Sequence, residues 1–485
     1  MKTDKGDLAP RVGGAWRFTE KSVIRAGYGL YYPTSAAQGM RDAMATNPFN
    51  QGRTAGATAD APLSPWPGFA HGFSPLTGGS LRRLSGFPSA NALPFDLKEP
   101  RIQQYNVTFE QEIGWKTALR VSYLGTRMSR LITGRDLNMI PPNDIPYATT
   151  IGDGVTACDP YNGDCDTSDA DRARVPFPGL GDYLSSFGNF GHGYSHAFQA
   201  EAKRRFSGGF LFNANYTLLS QQVSAVDSAN STLGGTAYNQ FKPENDFGRD
   251  SFVPRHRFVL YSIYEVPVGK GKKFGSSMPK WAETVVGNWE TSWQMFAKSG
   301  TGFTPWWGCD NCDPARPGNL ASSFIDPLGD FGDAGGGYRP LVAGDPTKRS
   351  GNQIFNPDAF DVPTVGADVL DNPKVAKRNL LTGPGTWGVN LGVHKRFRFG
   401  ERLVADLGAD FNNLFNHPLF SPNQDGGDTY SNLGSFSIGV DPNTFKILPI
   451  TDVTRNPDFG RLLNSYTQEG VDSRRTVRVK LRITF

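Results

Sequence analysis

Ionisable and nucleophilic side chains are scattered along this sequence and form none of the motifs on which enzymes depend. No GxSxG elbow, HExxH pair, phosphate loop or dinucleotide fingerprint stands where its mechanism would need it. The six histidines are dispersed, and Arg255-His256-Arg257 stands at the start of a predicted strand, where a structural role is favoured. We therefore predict a chain that is not an enzyme and has no cofactor.

An acidic segment between Asp153 and Asp171 supplies the oxygen ligands that Ca²⁺ prefers. Its spacing differs from that of an EF-hand loop, so a solvated acidic loop is the favoured interpretation and no metal site is predicted. The weak candidate ligands for Ca²⁺ are Asp159, Asp164, Asp166 and Asp169.

Four cysteines form two close pairs in polar segments, Cys158 with Cys165 and Cys309 with Cys312. Pairs this close in surface loops suit local disulfides in an oxidising compartment. The CxxC spacing of the second pair also occurs in zinc sites, but no second pair or nearby histidine completes one. Two local disulfides are the preferred interpretation.

Aromatic side chains in two long loops are the candidates for ligand binding. They would form a stacking platform at the mouth of the molecule, although aromatic groups also pack loops against each other, and that alternative is favoured. The candidates are Trp66, Phe69, Phe73, Trp306 and Trp307.

The elements that must position these loops are β-strands, and the last twelve residues show the pattern most clearly. Apolar side chains at Val477, Val479, Leu481, Ile483 and Phe485 alternate with polar ones. A period of two predicts a strand with one apolar face, and the length suits a tilted membrane-spanning strand. The polar row is expected to line an aqueous lumen, and it contains Arg478, Lys480 and Arg482.

Similar segments recur in pairs, with short turns inside each pair and long polar loops between pairs. This alternation is typical of an outer-membrane barrel with short periplasmic turns and long outer loops, whereas such loops are uncommon in a compact soluble domain. Aromatic residues near strand ends are expected to form an interfacial girdle: Trp16, Tyr31, Tyr32, Trp115, Trp289 and Trp387. The predicted pairs are Leu8–Thr19 with Ser22–Tyr32, Arg101–Ile113 with Lys116–Arg127, Ser195–Phe206 with Gly209–Ser220, Arg255–Val266 with Asn288–Lys298, and Thr386–Phe399 with Arg402–Phe415.

Composition agrees with an all-β antiparallel transmembrane barrel. Only 38% of the 485 residues are hydrophobic, and no apolar run has the length of a membrane helix. The net charge of +4 does not indicate a nucleic-acid partner. About eleven strands are counted, whereas bacterial barrels have an even number. Together with the lack of a signal peptide after Met1, this count leads us to expect further strands before the start.

Several short segments, in this order, resemble the barrel of Oar-like TonB-dependent transporters. The resemblance implies a 22-stranded barrel of which residues 1–485 are the C-terminal part, with a periplasmic plug and a TonB box that this chain does not contain. It also implies that Phe485 is part of the signal read by the barrel-assembly machinery, and that the polar row of the last strand faces the plug. The segments are 9–13 (APRVG), 23–29 (VIRAGYG), 122–126 (SYLGT), 215–217 (NYT), 255–258 (RHRF), 287–290 (GNWE) and 411–417 (FNNLFNH).

The leading hypothesis is therefore uptake of a scarce nutrient (a siderophore, cobalamin, a glycan or a peptide) across the outer membrane of a Gram-negative bacterium. By resemblance, the TonB–ExbB–ExbD complex would drive uptake, and Oar-like members also suggest export or surface adhesion. Two alternatives stay open. One is a passive porin or a structural or adhesive outer-membrane protein, and the other is a secreted β-sandwich that binds carbohydrate.

Overall fold

A computed structural model describes most of the strands and part of the loops. The described residues are 6–33, 90–92, 96–137, 176–177, 184–224, 246–251, 253–310, 338–348, 353–364, 372–399, 403–418, 431–437, 448–461, 467–468, 471–472 and 474–485.

The main element is one large antiparallel sheet in which eleven long strands lie side by side in chain order. The strands are β1 (Arg11–Thr19), β2 (Ser22–Tyr31), β3 (Arg101–Gly114), β4 (Thr117–Asp136), β5 (Leu184–Ser207), β6 (Phe210–Ser224), β7 (His256–Glu265), β8 (Trp289–Lys298), β9 (Thr386–Phe399), β10 (Leu403–Asn412) and β11 (Thr476–Thr484).

The turns at one end of the sheet, which we call the turn end, are short because their residues adopt left-handed backbone angles. Trp115 and Lys116 have φ values of 48° and 55°, and Gly208 and Gly209 have values of 62° and 77°. Two successive positive φ angles are typical of the type I′ turn, whose twist matches that of the paired strands. These turns lie one residue later than the sequence indicated. The opposite end, called the loop end, carries the long connections.

The register separates two chemically different faces. On β10 and β11, Phe411 lies opposite Val477, whereas Asp410 lies opposite Arg478. The apolar face is open: Val479 is 71% exposed and Trp16 is 67% exposed. An exposed apolar surface of this extent requires an apolar environment, which a lipid bilayer provides. The predicted alternation of the strands is therefore confirmed.

Two strands are much longer than the sequence indicated. β4 continues to Asp136 and β5 begins at Leu184, so part of the segment expected to be a loop pairs as a ribbon beyond the other strands. The added stretch of β5 contains Gly188, Gly191 and Gly193 and lacks alternating apolar residues. Its pairing therefore comes from the backbone and its neighbours, and no hydrophobic period signals it.

The two outer strands of the sheet each have one neighbour. Within the described part of the chain, β1 pairs with β2 and β11 pairs with β10, and neither pairs with the other. A short helix, α1 (Lys280–Val286), interrupts the connection between β7 and β8, which the sequence had indicated only as a basic segment. No helix among the described residues has both the length and the apolar character needed to cross a membrane.

The loop end contains the only extended hydrophobic cluster found among the described residues, which we call the loop core. Short strands and a 3-10 turn from the last two long connections surround it. The short strands of the molecule are Ala90–Ala92, Phe247–Arg249, Gly302–Phe303, Trp306–Cys309, Leu341–Val342, Phe360–Asp361, Leu381–Thr382, Asn432–Ser437, Asp452–Arg455, Thr467–Gln468 and Val471–Asp472, and the turn is Pro357–Ala359. The loop core consists of Trp307, Tyr338, Phe355, Ala359, Phe360, Leu381, Leu433, Phe436 and Phe459.

Candidate functional site

The polar face of the sheet forms a nearly continuous hydrogen-bonded wall. Thr108 and Ser122 link β3 to β4 at 2.9 Å through their hydroxyl oxygens. Further along, the Asn213 amide donates to Tyr261 at 3.1 Å and to Glu201 at the same distance. Because every strand from β3 to β7 contributes, this wall is suited to water and hydrophilic solutes rather than to lipid.

Charges alternate in sign across one part of this wall. The Glu110 carboxylate on β3 lies 3.4 Å from the Arg25 guanidinium on β2 and 3.7 Å from that of Arg120 on β4. Arg120 also lies 3.9 Å from Glu201 on β5. These partly exposed pairs contribute little stability individually. Their arrangement presents acceptors and donors in turn to the space that the wall faces.

The most concentrated charge cluster lies on β9, β10 and β11. His394 Nδ1 is 3.5 Å from Asp406, and its Nε2 is 3.2 Å from Asp410. The ammonium of Lys480 pairs with Asp410 from the other side, and Arg396 Nε lies 3.8 Å from Asp406. Two carboxylates thus hold one imidazole from both ring nitrogens, which fixes its orientation on the wall.

Glycines provide the space for this imidazole. A Cβ atom on Gly408, which is the cross-strand partner of His394, would overlap the imidazole ring. A Cβ atom on Gly392 would lie 3.1 Å from His394 Nε2 and 3.1 Å from Asp410. The imidazole of His394 therefore fits into the cluster because Gly392 and Gly408 have no Cβ atom.

The predicted lumen residues lie on the polar face. Arg478 and Arg482 are the cross-strand partners of Asp410 and Asp406, and Lys480 lies opposite Gly408. The i, i+4 spacing of the two aspartates and the i, i+2 spacing of the three cations were both visible in the sequence. The sequence did not indicate the register that brings these residues together, or that His394 is part of the cluster.

A buried ion pair secures the loop end. Asp246 and Arg339 pair with side chains that are only 2% and 6% exposed. Nearby, burial lowers the pKa of Arg249, and the charge of Arg255 lowers it further. Arg249 ends the short strand Phe247–Arg249, which pairs with β6. Its guanidinium links this strand to the loop core, because it donates to the carbonyls of Asn379, Leu380 and Leu381 and to the hydroxyl of Thr382.

The structure describes two of the five aromatic residues that were predicted to form a ligand platform. Trp307 is completely buried in the loop core, where its Nε1 donates to the Asp361 carbonyl at 3.2 Å, so its ring packs loops and does not meet solvent. Trp306 is partly buried, and its Nε1 donates to the Ser431 hydroxyl at 3.2 Å. Three further candidates lie outside the described residues: Trp66, Phe69 and Phe73.

The structure describes only some of the other predicted site residues. Cys309 is disulfide-bonded. Phe485 follows β11 and is 96% exposed. Within the described ranges, no cluster of potential metal ligands occurs. The remaining predicted residues lie outside these ranges: Cys158, Cys165, Cys312, Asp159, Asp164, Asp166 and Asp169.

Aromatic side chains follow the edges of the apolar face. Trp115 at the turn end is 87% exposed, and Trp387 at the loop end is 40% exposed. Tyr31 was expected in this girdle but lies on the polar face, with the Arg11 guanidinium 4.5 Å from its ring centre. The reason is strand parity: Tyr28 is on the apolar face, and a residue three positions later is on the other one.

An eleven-stranded antiparallel sheet with an apolar outer face, a polar inner wall and long loops at one end defines an integral β-barrel protein of the outer membrane. The family model described as "Outer membrane beta barrel domain" matches residues 1–450, and the chain belongs to that family. Its location is therefore the outer membrane of a Gram-negative bacterium.

Solved structures with a similar course of the chain include two transporters and one receptor. The outer membrane transporter YddB from Escherichia coli matches 92% of this chain and 39% of its own, with 9% identity and a TM-score of 0.39. The FrpB iron transporter from Neisseria meningitidis matches 98% and 39%, with 11% identity and a TM-score of 0.36.

BauA, the ferric preacinetobactin receptor from Acinetobacter baumannii, matches 98% of this chain and 36% of its own, with 10% identity and a TM-score of 0.35. This chain thus spans less than two-fifths of the length of these three proteins. No curated protein matches the sequence significantly.

Proposed function

We propose that this chain is part of the barrel of a TonB-dependent outer-membrane transporter, which takes up a scarce nutrient such as a siderophore, cobalamin, a glycan or a peptide. The observation that carries the proposal is the polar inner wall of an open sheet, whose two outer strands each have one neighbour in the described chain. The sequence resemblance to Oar-like transporters supports the same assignment.

In this proposal, further strands join β1 and β11 and complete a 22-stranded barrel. Unpaired backbone groups of nine-residue edges in hydrocarbon are costly, so closure by strand pairing is physically required. A barrel of that size encloses a wide lumen, which a plug fills. The assembly then depends on the barrel-assembly machinery, with Phe485 as part of the recognised end.

The charge cluster around His394 would contact the plug. Asp406 and Asp410 supply acceptors, while Arg478, Lys480 and Arg482 supply donors on the same wall. Hydrogen bonds to water and to a polar plug domain would satisfy both sets. The TonB–ExbB–ExbD complex would act on that plug, so the cluster takes part in gating through the plug surface.

The test is uptake by the native bacterium of each nutrient class in labelled form. We expect deletion of the complete gene to abolish uptake of one class, and removal of ExbB to have the same effect. Uptake that persists without ExbB and without a proton gradient would contradict the energy-coupled function and indicate a passive pore.

A second experiment addresses the plug. Cysteine replacements at Arg478 and Arg482 should form crosslinks to a periplasmic plug domain of the complete protein, because both lie on the inner wall. Replacements at Val479 and Leu481 are matched controls, since these side chains are on the apolar face and should not crosslink. Equal crosslinking from both faces would refute the assignment of the lumen.

A further inference from the structure

The connection between β7 and β8, residues 266–288, differs from the other turn-end connections that the structure describes. It is long, contains helix α1, and carries four lysines against one glutamate. The connections at 20–21, 115–116 and 208–209 are tight turns. We call residues 266–288 the basic segment.

Apolar side chains of the basic segment point away from the protein. Trp281 is 74% exposed and Val285 is 62% exposed. Because they are four residues apart on α1, they lie on the same helix face. Phe274 is 55% exposed as well, and none of the residues of α1 is buried. The described chain therefore leaves this apolar helix face uncovered.

The lysines of the basic segment are mostly unneutralised. Lys272 pairs with Glu265 at 2.7 Å. The single glutamate of the segment, Glu283, accepts a hydrogen bond from the backbone N–H of Lys270 at 3.3 Å. Among the described residues, no ion pair involves the ammonium groups of Lys270, Lys273 or Lys280. The segment thus combines exposed apolar side chains with a surplus of positive charge.

The basic segment is tied to the apolar face of the barrel. Trp289 Nε1 donates to the Val285 carbonyl at 3.0 Å, and Lys395 Nζ donates to the Gly287 carbonyl at 2.5 Å. Trp289 and Lys395 are cross-strand partners in the row of apolar-face residues. The Lys395 ammonium also lies 4.9 Å from the Trp289 ring centre. The segment therefore continues the lipid-facing surface at the level where the strands end.

We propose that the basic segment is an interfacial anchor that binds anionic phospholipid headgroups in the periplasmic leaflet of the outer membrane. The turn end faces the periplasm in this class of barrels. Trp281 and Val285 enter the boundary between headgroups and acyl chains, and Lys270, Lys273 and Lys280 contact lipid phosphates. The proposal rests on the outer-membrane assignment alone and holds for a transporter or a passive pore.

Charge complementarity and continuity with the lipid-facing surface select lipid over a protein partner. A protein-binding helix would have no reason to be fixed by Trp289 and Lys395 to the side of the barrel that meets lipid. The two candidate partners can be told apart by experiment. Binding to lipid requires anionic lipid in the bilayer and weakens with salt. Binding to a periplasmic protein would instead require one copy of that protein for each barrel.

The first experiment measures lipid binding by the complete purified protein in detergent, using native mass spectrometry with phosphatidylglycerol and phosphatidylcholine. We expect a preference for phosphatidylglycerol that decreases by roughly fivefold for each lysine replaced in Lys270→Gln, Lys273→Gln and Lys280→Gln. Lys348→Gln, at the loop end, is the matched control and should change nothing. An unchanged preference in the triple variant would overturn the proposal.

The second experiment does not depend on the lysine variants. The protein is reconstituted into vesicles that contain lipids brominated near the headgroup, which quench nearby tryptophan fluorescence. We expect the quenched fraction to fall in Trp281→Phe, and not in Trp306→Phe at the loop end. Faster migration of the unheated protein on a denaturing gel confirms folding of each variant. Equal quenching in wild type and Trp281→Phe would show that Trp281 does not meet lipid and would refute the anchor.

Discussion

Lys480 on the last strand pairs with Asp410 on the neighbouring strand, although the two residues are not direct cross-strand partners. Arg478 lies opposite Asp410, and Lys480 lies opposite Gly408. The lysine therefore reaches diagonally along the wall, and it shares Asp410 with His394. Because the contact joins an outer strand to the sheet, it helps to fix the register of β11.

Loss of this pair should cause a small destabilisation. The side chains are 52% and 26% exposed, so we expect Lys480→Gln to lower the free energy of unfolding by about 0.2–1 kcal/mol. Asp410→Asn should cost more, because it also removes a contact of His394. A double-mutant cycle in urea with lipid vesicles measures the coupling, and a coupling energy of zero would show that the two charges act independently.

Filling the space beside His394 should be more damaging. Gly408→Val places methyl groups where the imidazole lies, and overpacking of this kind costs about 1–3 kcal/mol. The control is Gly14→Val, because a Cβ atom on Gly14 meets no atom within 4 Å. Adding His394→Ala should recover part of the loss, measured as the unfolding free energy, and no recovery would exclude a clash with the imidazole as the cause.

The buried pair at the loop end should be the strongest single interaction outside the sheet. Asp246→Ala leaves the Arg339 charge buried without this carboxylate, and we expect a cost of about 3–5 kcal/mol to the loop end. Faster cleavage of the loops by trypsin, with unchanged gel migration of the unheated barrel, is the predicted signature. Arg461→Ala breaks an exposed pair with Asp458 and should be nearly silent. Similar proteolysis of both variants would contradict the predicted role of burial.

Acid should act on one identified turn of the loop end. Hydrogen bonds from the Thr347 hydroxyl at 2.7 Å and from its N–H at 2.9 Å lower the pKa of Asp345. A carboxyl group with a lowered pKa stabilises the fold above its ordinary pKa, and this contribution disappears as pH falls through the lowered value. Thr347→Val should therefore reduce stability at neutral pH and match wild type in strong acid. A difference that persists unchanged in acid would assign the effect to packing.

The exposed carboxyl-terminal ring should matter for assembly and not for stability. Phe485 is 96% exposed, so its deletion removes almost no packing. We expect deletion of Phe485 to reduce the amount of folded protein in the outer membrane severalfold, while Phe485→Tyr retains it. Folding into pure lipid vesicles without assembly proteins is the control and should be unaffected. Equal loss in vesicles would assign the residue a structural role.

Alternation of side chains predicted the strands because barrel strands meet two different solvents. The predicted strand ends were accurate where the two faces of a strand differ clearly in polarity, as in β9. They were wrong where the chain leaves the membrane, as at the glycine-rich start of β5. The polar row of β11 was predicted, but its partners depend on register, which no local pattern encodes. Trp307 could not be told apart from a ligand-binding tryptophan because burial in the loop core depends on segments distant in sequence.

The placement of most long connections at one end also determines how the protein must fold. Hairpins such as β5–β6 close a tight turn, whereas pairing of β8 with β9 must first close residues 299–385, which adds about 3 kcal/mol of chain entropy. Local hairpins should therefore form first, and the strands of neighbouring hairpins should pair later. The connection between β8 and β9 also supplies most of the loop core: Trp307, Tyr338, Phe355, Ala359, Phe360 and Leu381. Pairing of β8 with β9 and packing of the loop core should then appear as one slow kinetic phase, distinct from the fast closure of the hairpins.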